Sequence, residues 1–146
     1  MKFQPETQAI RWKVHFTSPR EKVFEALATP SGRASFWAES APEANGQITF
    51  HFVDHEPVSG RVLAETPPSF FAVEYFGAVV EFSLDADRSG GTDLTLVSTR
   101  VPAASRIETI AGWVSVLMAM KAAVDHGVDL RNHDASRSWG HGYADN

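Results

Sequence analysis

Polar and apolar residues alternate strictly from Ala9 to Phe16. Ile10, Trp12, Val14 and Phe16 are set against Arg11, Lys13 and His15. Period two with one polar side predicts a half-buried strand. The period then changes. Ser18-Pro19-Arg20-Glu21 carries a helix-start signature, with Ser18 as cap, Pro19 in the first turn and Glu21 reaching back. Val23, Phe24 and Leu27 form its apolar stripe. Pro30 ends this helix, and Ser31 is placed to cap a second short one running to Phe36 and Trp37.

The middle of the chain returns to period two. Asn45-Gly46 predicts a tight turn. Ile48, Phe50 and Phe52 alternate with Thr49 and His51. A run from Arg61 to Ala64 follows Ser59-Gly60, and Pro67-Pro68 marks a break. Phe71, Val73 and Tyr75 define the next strand, with Gly77 and Ala78 as a turn. Val80, Phe82 and Leu84 follow, then a Ser89-Gly90-Gly91 loop and a strand through Leu94 and Leu96. Turns about every ten residues predict an antiparallel meander. From about Ile107 the spacing becomes three and four, through Ile110, Trp113, Val114, Leu117, Met120, Val124 and Val128. This predicts one wide apolar helix face over about twenty residues, with Gly127 at its end. The tail, 131–146, is polar but carries Trp139 and Tyr143. It is expected to dock on the same chain or on a dimer mate.

The predicted order is strand, two short helices, meander, long helix. A curved antiparallel sheet must cover its apolar face, and the last helix is the one element long enough to do so. The expected fold is therefore α+β, about six strands wrapped round a C-terminal helix, in one domain spanning 1–146.

Composition narrows the chemistry. The 146 residues include no cysteine, which excludes disulfides, thiolate metal sites and a cysteine nucleophile. A net charge of -5 argues against nucleic acid as partner. Met1–Pro5 has no apolar core, so no leader is expected. No stretch is read as a membrane span, and a cytoplasmic location is expected. His51 and His55, four apart in an extended strand, would stand about 13 Å apart, too far for one ion. With His126, His133 and His141 scattered, no metal and no cofactor are expected. No G-x-S-x-G elbow is present.

The run Thr17 to Leu27 resembles the first strand-to-helix junction of START-like, birch-pollen-allergen-like and polyketide-cyclase-like (SRPBCC) domains. Trp37 stands where these domains often carry a tryptophan. Gly112-Trp113 with Leu117, Lys121 and Asp125-His126-Gly127 is similar to the long helix of one branch, the activator of heat-shock-protein-90 ATPase-like family. The resemblance implies a helix-grip fold and a hollow between sheet and helix. It implies a small hydrophobic molecule as ligand. A co-chaperone role in stress response, acting on a chaperone ATPase, is the second reading. A polyketide cyclase/dehydratase-like enzyme is the third, and no acid–base pair for it can be named. The candidate ligand-binding residues are Trp37 at the entrance, then Phe50, Phe52, Tyr75 and Phe82 on the sheet. Tyr75, Ser98 and Arg100 are its polar points, and Trp113, Leu117 and Met120 project from the helix.

Overall fold

In the computed structural model, residue 4 and residues 9–146 are described. Apart from Gln4, the Met1–Pro5 stretch read above lies outside the described residues. The alternation in the first segment folds as β1 (Ile10–Phe16), with Ile10 and Phe16 fully buried. Helices α1 (Arg20–Ala28) and α2 (Pro30–Ala34) follow. Strands β2 (Glu43–Ala44), β3 (Gln47–Phe52), β4 (His55–Thr66), β5 (Phe70–Tyr75), β6 (Ala78–Ala86) and β7 (Thr92–Thr99) complete the sheet. Helix α3 (Arg106–His126) closes it. Among the described residues the sheet is antiparallel, in the order β1-β7-β6-β5-β4-β3-β2.

The sheet has seven strands rather than about six. The additional one, β2, pairs two residues with β3 across the predicted Asn45-Gly46 turn, where φ is 53° and 74°. Two residues are too short to show alternation. The β5–β6 turn is centred on Phe76-Gly77, not Gly77-Ala78, because Tyr75 pairs with Ala78. Strand β4 starts before the predicted Arg61–Ala64 run and passes through Ser59-Gly60. A Cβ on Gly60 would lie 1.7 Å from the Glu74 carbonyl oxygen, so glycine lets β4 pass close to β5. His51 and His55 are not on one extended strand. The chain reverses at Val53-Asp54 and pairs Phe52 with His55, so the 13 Å argument does not apply.

Two capping assignments change. Pro19 is the N-cap of α1 and makes no side-chain cap. The Ser18 hydroxyl instead donates to Asp125 Oδ1 at 2.8 Å. Thr29, not Ser31, caps α2, accepting from the Gly32 amide at 3.0 Å, and Pro30 sits at the first helical position.

Helix α3 spans 21 residues, about 30 Å, and Gly127 ends it with φ 64°. Its Trp113, Leu117, Met120 and Val124 side chains join the core formed by the inner faces of the strands. Val114, Met118 and Ile107 point outward, so the predicted single face is too wide. The helix is apolar nearly all round, and Ala103–His126 is long and apolar enough to cross a membrane, contrary to the sequence reading. Its buried side chains make it the helix gripped by the sheet.

Candidate functional site

Between the sheet and α3 lies a cavity of about 660 Å³. That volume falls in the range of small-molecule sites. Its centre is aromatic. The Trp37 ring lies 5.4 Å from Tyr75 and 5.9 Å from Trp113, and Tyr75 lies 5.4 Å from Trp113. These spacings are typical of edge-on and tilted aromatic contacts.

Local structure sets each of these rings. Trp37 follows α2, held by its amide donating to the Arg33 carbonyl at 2.8 Å. It is 3% exposed, so it stands deep among rings and not at the entrance. Tyr75 ends β5 on the inward phase of Phe71 and Val73. Ser98 continues the inward phase of Leu94 and Leu96 on β7 and is fully buried.

Of the residues predicted for the site, Trp37, Phe52, Tyr75, Ser98 and Trp113 line the cavity. Phe50, Phe82, Leu117 and Met120 do not. They are buried behind it, with Phe50 and Phe82 packed 4.9 and 5.7 Å from the Trp37 ring. Arg100 is exposed just beyond β7 with φ 60°. Period two no longer applies once the strand has ended, so Arg100 is no internal head-group clamp.

Two buried polar atoms on lining residues are unusual. Among the described residues, Trp37 Nε1 and Ser98 Oγ are the buried side-chain polar atoms with no partner of full hydrogen-bond geometry. The Trp37 N–H nonetheless acts on the Tyr75 hydroxyl as a hydrogen-bond donor. Burial pushes the Tyr75 hydroxyl well above the usual tyrosine range, so it stays neutral. No group of three or more His, Asp or Glu among the described residues could hold a metal ion.

The tail supplies what sequence periodicity could not show. After α3 the chain crosses the cavity mouth, contributing Leu130, Arg131, Ser138 and Trp139 to the lining. Arg131 donates to the carbonyls of Ala38 and Ala34 at 2.8 and 2.7 Å. Ser115 on α3 donates to the Ala144 carbonyl. Ser138 Oγ donates to Asp54 at 2.9 Å and lies 2.8 Å from His141 Nδ1. Both contacts converge on the serine oxygen. A hydrolytic triad instead places its carboxylate on the imidazole nitrogen remote from the serine. This cluster therefore fastens the tail to the β3–β4 turn.

A further fastening is ionic. His133 places Nδ1 2.7 Å from Glu39 and Nε2 2.7 Å from Asp129, so both nitrogens meet carboxylates. Arg131 also pairs with Asp129. The hydrogen bonds to Glu39 and then Asp129 raise the His133 pKa above its ordinary 6.5, against the smaller opposing effect of burial. A raised pKa means that this contribution is complete below 6.5 and is lost as pH rises through the shifted value. Amide hydrogen exchange at 131–134, corrected for its intrinsic pH dependence, is expected to accelerate as pH rises above 6.5 and through the raised value. His133→Gln should be fast throughout. Equal protection across that range would remove the clamp.

A sheet wrapped round one helix, enclosing an apolar hollow, defines the helix-grip class. The chain belongs to the Activator of Hsp90 ATPase homolog 1-like protein family, which matches it over residues 17–125. The fold is similar to that of protein SSP2350 from Staphylococcus saprophyticus, at 22% identity and TM-score 0.72. That match covers 84% of this chain and 96% of the other. It is also similar to the Aha1 dimer from Colwellia psychrerythraea, at 16% identity and TM-score 0.74, covering 83% and 98%. A conserved protein of unknown function from Enterococcus faecalis, EF2215, is 18% identical with TM-score 0.73, covering 96% and 86%. No curated protein matches the chain in sequence.

Proposed function

We propose that the chain binds a small, largely apolar molecule in the cavity between the sheet and α3. The observation that supports this reading is a cavity of about 660 Å³ between the sheet and α3, walled in part by the rings of Trp37, Tyr75 and Trp113. A fully packed core leaves few voids larger than a water molecule.

Burying apolar ligand surface gains about 25 cal/mol per Å² before association costs, which supports micromolar affinity. Nile red is expected to gain fluorescence on binding and to quench the tryptophans, with Trp113→Phe removing much of the quenching. Ala119 lines the cavity and is nearly fully buried. Ala119→Phe should weaken Nile red binding at least about tenfold while circular dichroism stays unchanged. Parental affinity in that folded variant would refute the reading.

A further inference from the structure

We propose that the tail, 127–146, is a gating strap that closes the cavity mouth while His133 is protonated and lifts from it when that proton leaves. This inference rests on the binding reading above and adds how entry to the cavity is regulated. The tail lies beyond the family match, which ends at residue 125.

The strap moves as one body. Gly127 turns it away from α3 with φ 64°. The Asn132 amide donates to the Asp145 carbonyl at 2.8 Å, and Asn132 Nδ2 donates to Asp145 Oδ1 at 3.0 Å. Asn146 Nδ2 donates back to Asn132 Oδ1 at 2.9 Å. Residues 132–146 thus form a closed loop, and Ser138 and Trp139 on it line the mouth. Polar contacts to Glu39, Asp54 and Ser115 fasten this loop, while its Trp139 and Tyr143 side chains stay exposed. Segments with little buried apolar surface open at low free-energy cost.

His133 is the charged member of these fastenings. Its Nδ1 and Nε2 each lie 2.7 Å from a carboxylate, of Glu39 in the α2–β2 loop and of Asp129 at the start of the strap. Carboxylates only accept, so both contacts need both ring nitrogens to donate, which is the imidazolium form. A neutral ring keeps one N–H and turns a lone pair on the other carboxylate. The raised His133 pKa agrees with this geometry. The latch is complete below 6.5 and is lost as pH rises through the raised value. His133 also holds φ 58°, a left-handed backbone that a residue other than glycine keeps while its contacts enforce it.

The neighbouring groups leave this role to His133. Arg131 pairs with Asp129, and its bonds to the Ala34 and Ala38 carbonyls anchor the base of the loop. Asp134 is turned to Arg137 and Ser136. The Ser138 hydroxyl already donates to Asp54, so His141 Nδ1 donates to that hydroxyl, and a neutral ring can do this.

The chain has no cysteine, so one introduced thiol reports the opening. Ala119→Cys places it on the cavity wall, and Ala26→Cys places it in the core but off that wall. Reaction with dithiodipyridine is measured relative to glutathione at each pH. For Ala119→Cys the relative rate should rise at least about threefold as pH passes upward through the latch. Adding His133→Gln should keep it at the fast level at every pH and leave Ala26→Cys unchanged. Ala78→Cys, also nearly buried on the wall, replaces Ala119→Cys should that variant not fold. A flat rate on the wall, or an equal rise at Ala26→Cys, overturns the strap. No ligand enters this measurement, so the two readings fail separately. Gated thiol access without Nile red binding upholds the strap and removes the ligand, and Nile red binding with ungated access does the reverse.

Discussion

Arg33→Ala is expected to destabilise the protein by about 3–5 kcal/mol, measured as a lowered urea midpoint. Arg33 is fully buried. Its Nε and Nη2 donate to the Ala41 carbonyl at 3.1 and 2.8 Å, and Nη1 donates to the Leu27 carbonyl at 3.1 Å. Burial lowers its pKa, and the nearby charges of Glu43 and Glu65 act against that. Truncation leaves two carbonyls without these donors and a hole of side-chain size. Lysine cannot reproduce the planar fork, so Arg33→Lys should recover only part of the loss. The consequence reaches the cavity, because the Arg33 carbonyl accepts from the Trp37 amide. Weaker Nile red binding should therefore accompany the lost stability. A loss below about 1 kcal/mol, the level of a single ordinary hydrogen bond, would contradict this account.

Asp125→Ala should cost about 2–4 kcal/mol near neutral pH, with most of the difference removed by acid. Asp125 lies at the end of α3 and ties it to the β1–α1 junction. It accepts from the Thr17 and Ser18 amides at 3.0 and 3.1 Å and from the Ser18 hydroxyl at 2.8 Å, with Lys121 Nζ at 3.4 Å. Burial pushes its carboxyl up, but these bonds outweigh it and bring the pKa from 3.8 to about 2. That shift corresponds to about 2 kcal/mol. The pKa is depressed by folding, so the stabilisation is complete above 3.8 and disappears as pH falls through about 2. Chemical denaturation of parent and variant should converge between those values. A constant gap down to pH 2 would show that the carboxylate charge is not what joins the two segments.

The α3 helix and the alternating strands were legible because period 3.6 and period two are local properties. Tyr75 and Ser98 were correctly aimed inward for that reason. The same rule failed at Arg100, where β7 has ended and φ turns positive. It also could not separate Trp113, which lines the cavity, from Leu117 and Met120, which lie behind it on the same helix. Facing inward and facing a void are the same in sequence. Arg33 gave no signal, because its partners are main-chain carbonyls whose positions depend on how α2 turns back on α1.

Alternation, turn residues and helix spacing thus determined the α+β class, the order of elements and an aromatic interior. Tertiary structure alone decided that the rings of Trp37, Tyr75 and Trp113 meet around one hollow, and that the polar tail crosses its mouth. Those features depend on contacts between residues distant in sequence, such as Arg131 with Ala34 and Ser138 with Asp54. Local periodicity carries no information about which distant groups meet, because those meetings are set by the packing of complete elements.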